Sequence, residues 1–159
     1  MPPPATVPLV ELTVERIDTE RLAAVEPLFA DYQRFYEVEE IDPARNRVFL
    51  ERFTDSDDEG WLFGAFEGNE ILGFTCLHRH KSSLRATDPV LMYDLFVAPE
   101  ARGKGVGRAL IGKALEVARE SGAACLEWST APDNETAQRL YDSIPGAGKS
   151  TWLEYEVEI

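Results

Sequence analysis

The stretch YDLFVAPEARGKGVGR, residues 93–108, decides the fold. Its first five residues are apolar or aromatic apart from Asp94, which is typical of a buried strand, and Pro99 ends that strand. Beyond the glycines, Val106 and Leu110 open an apolar pattern at helical spacing. Alternating glycines let a ligand approach the backbone, and the first N–H groups of a helix attract anions. The stretch is therefore predicted to form a strand, turn and helix that cradle a pyrophosphate.

The glycine spacing argues against two other phosphate sites. A dinucleotide fingerprint needs Gly-x-Gly-x-x-Gly, and Gly103-x-Gly105-x-Gly107 is one residue short, although Glu127 lies where a ribose-binding acid would stand. A Walker loop needs a glycine five residues before its Gly-Lys-Ser, and Ser143 occupies that place before Gly148. A nucleotide-dependent oxidoreductase therefore remains only as a disfavoured alternative.

Two motifs carry a family resemblance. The pattern Val97-x-Pro99-x-x-Arg102-Gly103-x-Gly105-x-Gly107 resembles the signature (Arg/Gln)-x-x-Gly-x-(Gly/Ala) of the GNAT superfamily of acetyl-CoA-dependent N-acetyltransferases, and Asn134-x-x-Ala137-x-x-Leu140-Tyr141 resembles its second signature. The resemblance runs from about Trp61 to the C-terminus. It implies an α/β (α+β) fold: a mixed, twisted central sheet of about six to seven strands with helices on both faces. It also implies a gap beside the central strand that the acetyl-pantetheine arm enters.

The remaining elements follow from periodicity and turn residues, in the order β-α-α-β-β-β-α-β-α-β. Thr19, Asp42 and Asp133 are the predicted helix N-caps. Strands are predicted over 11–17, 61–66, 71–77, 93–97, 124–128 and 151–157, and helices over 20–36, 44–53, 106–121 and 134–143. Residues 1–9 are predicted to be a flexible proline-rich tail, and 10–159 a single acetyltransferase domain.

The composition limits the partners. The net charge of −13 argues against nucleic acid, which needs a basic face. Residues 31–60 hold ten acids against four arginines, whereas 102–119 hold five bases against one acid, which suits a cationic acceptor and a polyanionic cofactor. No apolar run approaches the ~18 residues of a membrane helix. Without a signal peptide, Cys76 and Cys125 are expected to be reduced, so a cytoplasmic location is predicted.

The resemblance implies that acetyl-CoA is the co-substrate and that no metal is needed. The pantetheine amides are expected to pair with the backbone of Leu95, Phe96 and Val97. The pyrophosphate is expected at the backbone of Arg102, Gly103, Lys104, Gly105, Val106, Gly107 and Arg108. Asn134 and Ala137, in the second signature, complete the expected cofactor site.

Acetyl transfer needs a proton acceptor near the amine and a proton donor near the leaving sulfur, because only a neutral amine attacks a thioester. The resemblance makes Tyr141 the proton donor. Family members that act on polyamines often carry Glu-Asp where this chain has Tyr93-Asp94, so the glutamate is missing and Asp94 is left as the base or an acceptor contact. Strand alternation places Asp94 on the side of Met92 and Phe96.

Four further residues could contact the acceptor. His78 and His80 are alternative bases, and as metal ligands they lack a third partner. Glu37 and Glu40 lie in the turn between the first two helices, which lines the acceptor entrance in the family.

The sequence therefore predicts an N-acetyltransferase that transfers acetyl from acetyl-CoA to a primary amine of a small molecule, such as a polyamine or an amino acid, by direct attack in a ternary complex. A catalytically weak CoA-binding sensor and a protein or histone lysine acetyltransferase are the alternatives. A homodimer formed through the last strand is also expected from relatives.

Overall fold

The computed structural model describes residues 11–159. They divide into two units, one that ends at Trp128 and a second that spans Ser129–Ile159. The predicted tail at 1–9 lies outside the described residues, and the single domain stays a prediction. Within residues 11–159, no helix has the length and apolar character needed to cross a bilayer.

A five-stranded mixed sheet forms the centre of the first unit, in the order β1-β2-β3-β4-β5. Neighbours are antiparallel except β4 and β5, which are parallel. The strands are β1 (Leu12–Arg16), β2 (Gly60–Glu67), β3 (Glu70–Arg79), β4 (Val90–Val97) and β5 (Leu126–Glu127). The predicted hairpin is therefore confirmed, whereas the fifth strand is much shorter than the predicted 124–128.

Four helices accompany the sheet: α1 (Leu22–Phe35), α2 (Pro43–Glu51) and α3 (Val106–Glu120) in the first unit, and α4 (Glu135–Asp142) in the second. Consecutive residues are buried from Leu72 to Leu77, so both faces of the sheet are covered there. The core joins apolar side chains of α1, α2 and α3 to those of the strands, with Phe74, Leu22, Leu50 and Leu110 fully buried.

The sheet has five strands, not six to seven, because the predicted last strand is wrong. Residues 151–157 adopt no strand, and the aromatic and aliphatic side chains of Trp152, Tyr155 and Val157 are exposed. Alternation shows that a segment could pair, but a strand is stable only beside a neighbouring strand.

The helix starts differ from the predicted caps at two of three places. Asp42 caps α2 as predicted and accepts hydrogen bonds from the N–H groups of Ala44 (2.9 Å) and Arg45 (3.1 Å). Thr19 does not cap α1, because its hydroxyl donates to the Asp55 carboxylate instead. Asn134, and not Asp133, caps α4, accepting from the Ala137 N–H at 3.2 Å.

Candidate functional site

One edge of β4 is free over the half that leads to the glycines. β5 pairs with β4 only at Val90 and Leu91. The N–H of Ala98 donates to the Leu72 carbonyl of the other neighbour, β3, at 2.8 Å. By the alternation of an antiparallel ladder, Phe96 also faces β3, whereas the backbone groups of Leu95 and Val97 face the open edge. This edge can accept an extended, amide-containing ligand as an added strand.

The turn after β4 holds its glycines in the left-handed region. Gly103 has φ +77° and Gly105 has φ +82°, and nothing lies within 4 Å of where a Cβ would stand at either position. Arg102 stabilises this turn, because its Nε donates to the Val97 carbonyl at 3.2 Å. Arg102 therefore shapes the cradle as well as adding positive charge to it.

The cradle presents unpaired backbone donors. Gly105 is the N-cap of α3 and supplies no side-chain acceptor. Within residues 11–159, the N–H groups from Gly103 to Gly107 donate to no backbone carbonyl, and the first such bond of the helix is made by Ala109 to Gly105 at 3.0 Å. Lys104 and Arg108 are exposed on this turn. These donors, at the positive end of a 15-residue helix, fit a pyrophosphate.

Asp94 is a buried carboxylate, 5% exposed, in the middle of β4. Met92 and Phe96 are buried beside it and Tyr93 is exposed, which confirms the predicted alternation. A bulge interrupts the pairing of β3 with β4 at this level, and the Thr75 hydroxyl donates to the Asp94 backbone carbonyl at 2.7 Å. The bulge therefore fixes the position of Asp94 in the sheet.

Burial raises the pKa of Asp94 to about 6, and a hydrogen bond from the Tyr32 hydroxyl opposes part of that rise. Tyr32 is held by its ring, which packs edge-on against Phe74 (centroids 5.8 Å apart) and Phe96 (5.9 Å). Burial, and then the Asp94 charge, raise the pKa of Tyr32 itself, so this hydroxyl stays protonated and donates. The carboxylate at position 94 is thus oriented by α1.

Cys76 and His78 lie next to Asp94. One ring nitrogen of His78, one carboxylate oxygen of Asp94 and the Cys76 sulfur are all within 4.8 Å of one another. The His78 ring is stacked between Phe53 (centroids 4.6 Å apart) and Tyr93 (5.0 Å), and its Nε2 is buried without a hydrogen-bond partner within the described residues. Burial, then the charge of Arg52, lower the pKa of His78, so the ring is a neutral proton carrier near pH 7.

The sequence analysis excluded a metal site at His78 because no third ligating residue was apparent. That reason is wrong, because Cys76 and Asp94 both lie close to His78. A thiol binds a metal as the thiolate, however, and burial together with the Asp94 charge raises the pKa of Cys76 well above its ordinary value. We therefore interpret the three side chains as a group that holds and moves protons, and the expectation of no metal stays a prediction.

A cavity of about 600 Å³ lies beside His78, which forms part of its lining. The ends of α2 and β3, the start of β4 and the turn after α3 line it. His80 is exposed on its wall, and no contact joins it to the cluster at Asp94. Because His78 contacts both the cavity and Asp94, it connects the space for a small molecule with the buried carboxylate.

The predicted entrance residues Glu37 and Glu40 are exposed in the turn between α1 and α2. Glu37 has φ +57°, and the Glu40 backbone carbonyl accepts from Arg45 at 3.0 Å. Neither lines the cavity. Tyr36, the residue before this turn, is nearer the chemistry, because its pKa is raised by burial and then by the Asp94 charge.

The second signature belongs to the second unit. The Asn134 side chain accepts from the Ala137 N–H and caps α4. This structural role is the alternative explanation for Asn134 to a contact with the cofactor. Tyr141 is half-buried in the last turn of α4. The roles of these three residues stay predictions from the resemblance.

The sequence analysis missed Tyr32, Cys76 and the cavity. Tyr32 fits the apolar face of α1, and only the packing of that helix against β3 and β4 brings its hydroxyl to Asp94. Cys76 could have been found, because it stands two residues before His78 on the same face of β3.

Comparison with known proteins identifies the family. A profile described as the acetyltransferase (GNAT) family matches residues 25–144. The protein named Uncharacterized N-acetyltransferase YhfO, of Bacillus subtilis, is 34% identical over 131 residues, which cover 82% of this chain and 87% of the relative. The D-amino-acid N-acetyltransferase HPA3 of Saccharomyces cerevisiae is 32% identical over 135 residues, covering 84% and 83%.

A solved structure described as a probable acetyltransferase superposes with a TM-score of 0.76 at 31% identity, and the match covers 94% of this chain and 97% of that one. The profile covers most of α1, which begins at Leu22, and all residues of the glycine turn and of the second signature. The chain belongs to the acetyltransferase (GNAT) family and is an N-acetyltransferase.

Proposed function

We propose that the protein transfers an acetyl group from acetyl-CoA to a primary amine of a small molecule by direct attack in a ternary complex. The observation that supports this proposal is that three features of an acetyltransferase site follow one another along β4 and the turn after it. The same β4 holds a buried carboxylate at Asp94, has an edge at Leu95 and Val97 that pairs with no strand of residues 11–159, and leads into the glycine turn, where Arg102 donates to the Val97 carbonyl. A base, an extended-ligand edge and an anion site thus follow one another along the chain.

The cofactor fits the residues that the structure provides. The free edge of β4 suits the amides of pantetheine, and the unpaired N–H groups from Gly103 to Gly107 suit the pyrophosphate. When bound there, acetyl-CoA supplies the thioester that the amine attacks. Cys76 is not an intermediate acceptor, because burial keeps its thiol protonated.

Asp94 accepts the proton that the amine loses as its nitrogen bonds to the acetyl carbon. A pKa of about 6 leaves Asp94 ionised at pH 7.4, and it makes this carboxylate a stronger base than an exposed aspartate. A ring nitrogen of His78 lies within 4.8 Å of an Asp94 carboxylate oxygen, so one water between them would carry the proton from Asp94 to His78 and on to the cavity that His78 lines. When the carbon–sulfur bond breaks, Tyr141 donates a proton to the leaving thiolate, the role that the family resemblance assigns to it.

The test combines thiol release with direct binding. Acetyl-CoA and a panel of polyamines, amino acids, aminoglycosides and basic peptides are assayed with the wild type and with Asp94→Asn, and calorimetry measures acetyl-CoA binding on the same samples. We expect turnover with one amine class, a rate lower by about 10²-fold or more in Asp94→Asn, and equal acetyl-CoA affinity. Binding without turnover would favour the CoA-binding sensor. Failure to bind acetyl-CoA would refute the cradle.

Two further expectations remain part of the proposal. Cys76 and Cys125 are free thiols, which supports a reducing, cytoplasmic location. We also propose that the acceptor is neither nucleic acid nor a membrane component, because the chain carries a net charge of −13. A homodimer stays a prediction from relatives.

A further inference from the structure

The cavity beside His78 has an unusual balance of charge for this chain. The protein has 29 acidic residues and 16 basic ones. The cavity lining nevertheless contains three of each: the acids Asp58, Glu59 and Asp88 and the bases Arg52, Arg79 and Lys81. A polyamine site should hold a larger excess of acidic over basic residues than the chain as a whole, and this lining holds no excess.

Two of the cations are available to a ligand. Arg52 is already neutralised by its ion pair with Glu59. The Arg79 guanidinium is oriented by its Nε, which donates to the Asp57 carbonyl at 2.5 Å, and by the Trp61 ring, 4.6 Å from the guanidinium carbon to the centroid. Neither Arg79 nor Lys81 forms an ion pair within residues 11–159, although the Asp57 carboxylate, which pairs with Arg16, is close enough to feel the Arg79 charge. A guanidinium and an ammonium in one cavity form a natural site for a carboxylate.

The same lining also accommodates an amine. His78 lines the cavity and has a ring nitrogen within 4.8 Å of an Asp94 carboxylate oxygen, and burial lowers the pKa of His78, so near pH 7 its ring adds no positive charge that would repel an ammonium group. Asp58 and Asp88 supply negative charge on the same lining. An entering molecule therefore meets cations from the end of β3 and acids from the neighbouring loops.

We propose that the acceptor is a free amino acid or a similar zwitterion, with its carboxylate held by Arg79 and Lys81 and its amine directed towards His78 and Asp94. The inference rests on the proposed acetyl transfer and narrows its substrate to molecules that carry an amine and a carboxylate together. The cavity of about 600 Å³ is large enough for an amino acid with a bulky side chain. A polycation such as a polyamine would bring no partner for the two free cations.

The experiment uses matched pairs that differ only in the carboxylate: lysine with cadaverine, and phenylalanine with phenethylamine, the amino acids in both enantiomers. Thiol release is measured with the wild type, Arg79→Gln, Lys81→Gln and the control Arg34→Gln, an exposed residue outside the cavity that pairs with Asp31. We expect each cavity variant to raise KM for amino acids about tenfold. KM for the decarboxylated amines, kcat and the Arg34→Gln variant should be unchanged.

Calorimetry in the presence of CoA separates this inference from the proposed function. An amino acid that binds the wild type, and binds Arg79→Gln about tenfold more weakly, supports the zwitterion site even if no acetyl transfer occurs. Decarboxylated amines that bind or react as well as the amino acids would overturn it. If Arg79→Gln weakens the binding of an amino acid and of its decarboxylated amine equally, the inference is also overturned, because Arg79 then has only a structural role.

Discussion

Replacing Asp94 with asparagine should stabilise the fold while it removes the proposed base. Burial raises the pKa of this carboxyl from 3.8 to about 6. Each unit corresponds to about 1.4 kcal/mol, so ionised Asp94 lowers the free energy of unfolding by about 3 kcal/mol. Asparagine has nearly the same shape, keeps an oxygen that accepts from Tyr32, and carries no charge.

The sign of the effect follows from proton linkage. Below both pKa values the carboxyl is protonated in the folded and the unfolded chain, so the group adds no pH dependence there. As pH rises, the unfolded chain loses this proton first, and the folded state becomes progressively less stable until the pH exceeds the folded pKa. The penalty is about half of its full size at about pH 5 and reaches about 3 kcal/mol at about pH 8.

Urea unfolding of the wild type, Asp94→Asn and the control Asp133→Asn measures this difference. The stability gained by Asp94→Asn should be about 1 kcal/mol larger at pH 8 than at pH 5. Asp133 is exposed, so its variant should show no such pH dependence. If Asp94→Asn gains the same stability at both pH values, the inference that burial raises the pKa of Asp94 is refuted. A full rate of thiol release in Asp94→Asn would refute its role as the base.

Three further predictions test the remaining parts of the site. Tyr141→Phe should lower kcat at least about tenfold and leave the acetyl-CoA Kd unchanged, and an unaltered kcat would exclude the proton-donor role. Tyr32→Phe removes a hydrogen bond that favours the ionised carboxylate, so the rise of kcat/KM with pH should move to higher pH, and an unmoved profile would show that Tyr32 does not act on Asp94. Gly105→Ala and Gly122→Ala should each destabilise the fold by about 1 kcal/mol, because both have positive φ, +82° and +72°. Only Gly105→Ala should weaken acetyl-CoA binding, since Gly122 lies at the other end of α3, and equal affinities would contradict the cradle.

The parts of this fold that sequence predicted are those with local causes. The hairpin β2–β3 and the start and end of α3 are fixed by turn glycines and apolar periodicity within a few residues. The glycine turn before α3 follows from its motif for the same reason, and a carboxylate in an apolar strand made Asp94 a candidate. The functional roles of both stay predictions.

The missing parts depend on tertiary packing. No local pattern shows that Tyr32 of α1 reaches Asp94 of β4, or that a bulge after Cys76 sets how β3 and β4 align. The predicted strand at 151–157 failed for a related reason, since alternation cannot supply a pairing partner. The cavity is built from five separate segments, so only the folded chain contains it.

The short pairing of β5 with β4 makes ligand binding part of the folding equilibrium. Two register pairs join these strands, and no strand of the described residues pairs with the edge beyond them at Leu95 and Val97. A ligand that fills this edge acts as a missing strand and binds only the folded chain. At a concentration of about 100 times its Kd it would stabilise the protein by about 2.7 kcal/mol. Resistance of the protein to unfolding and proteolysis would then rise and fall with the supply of its own co-substrate.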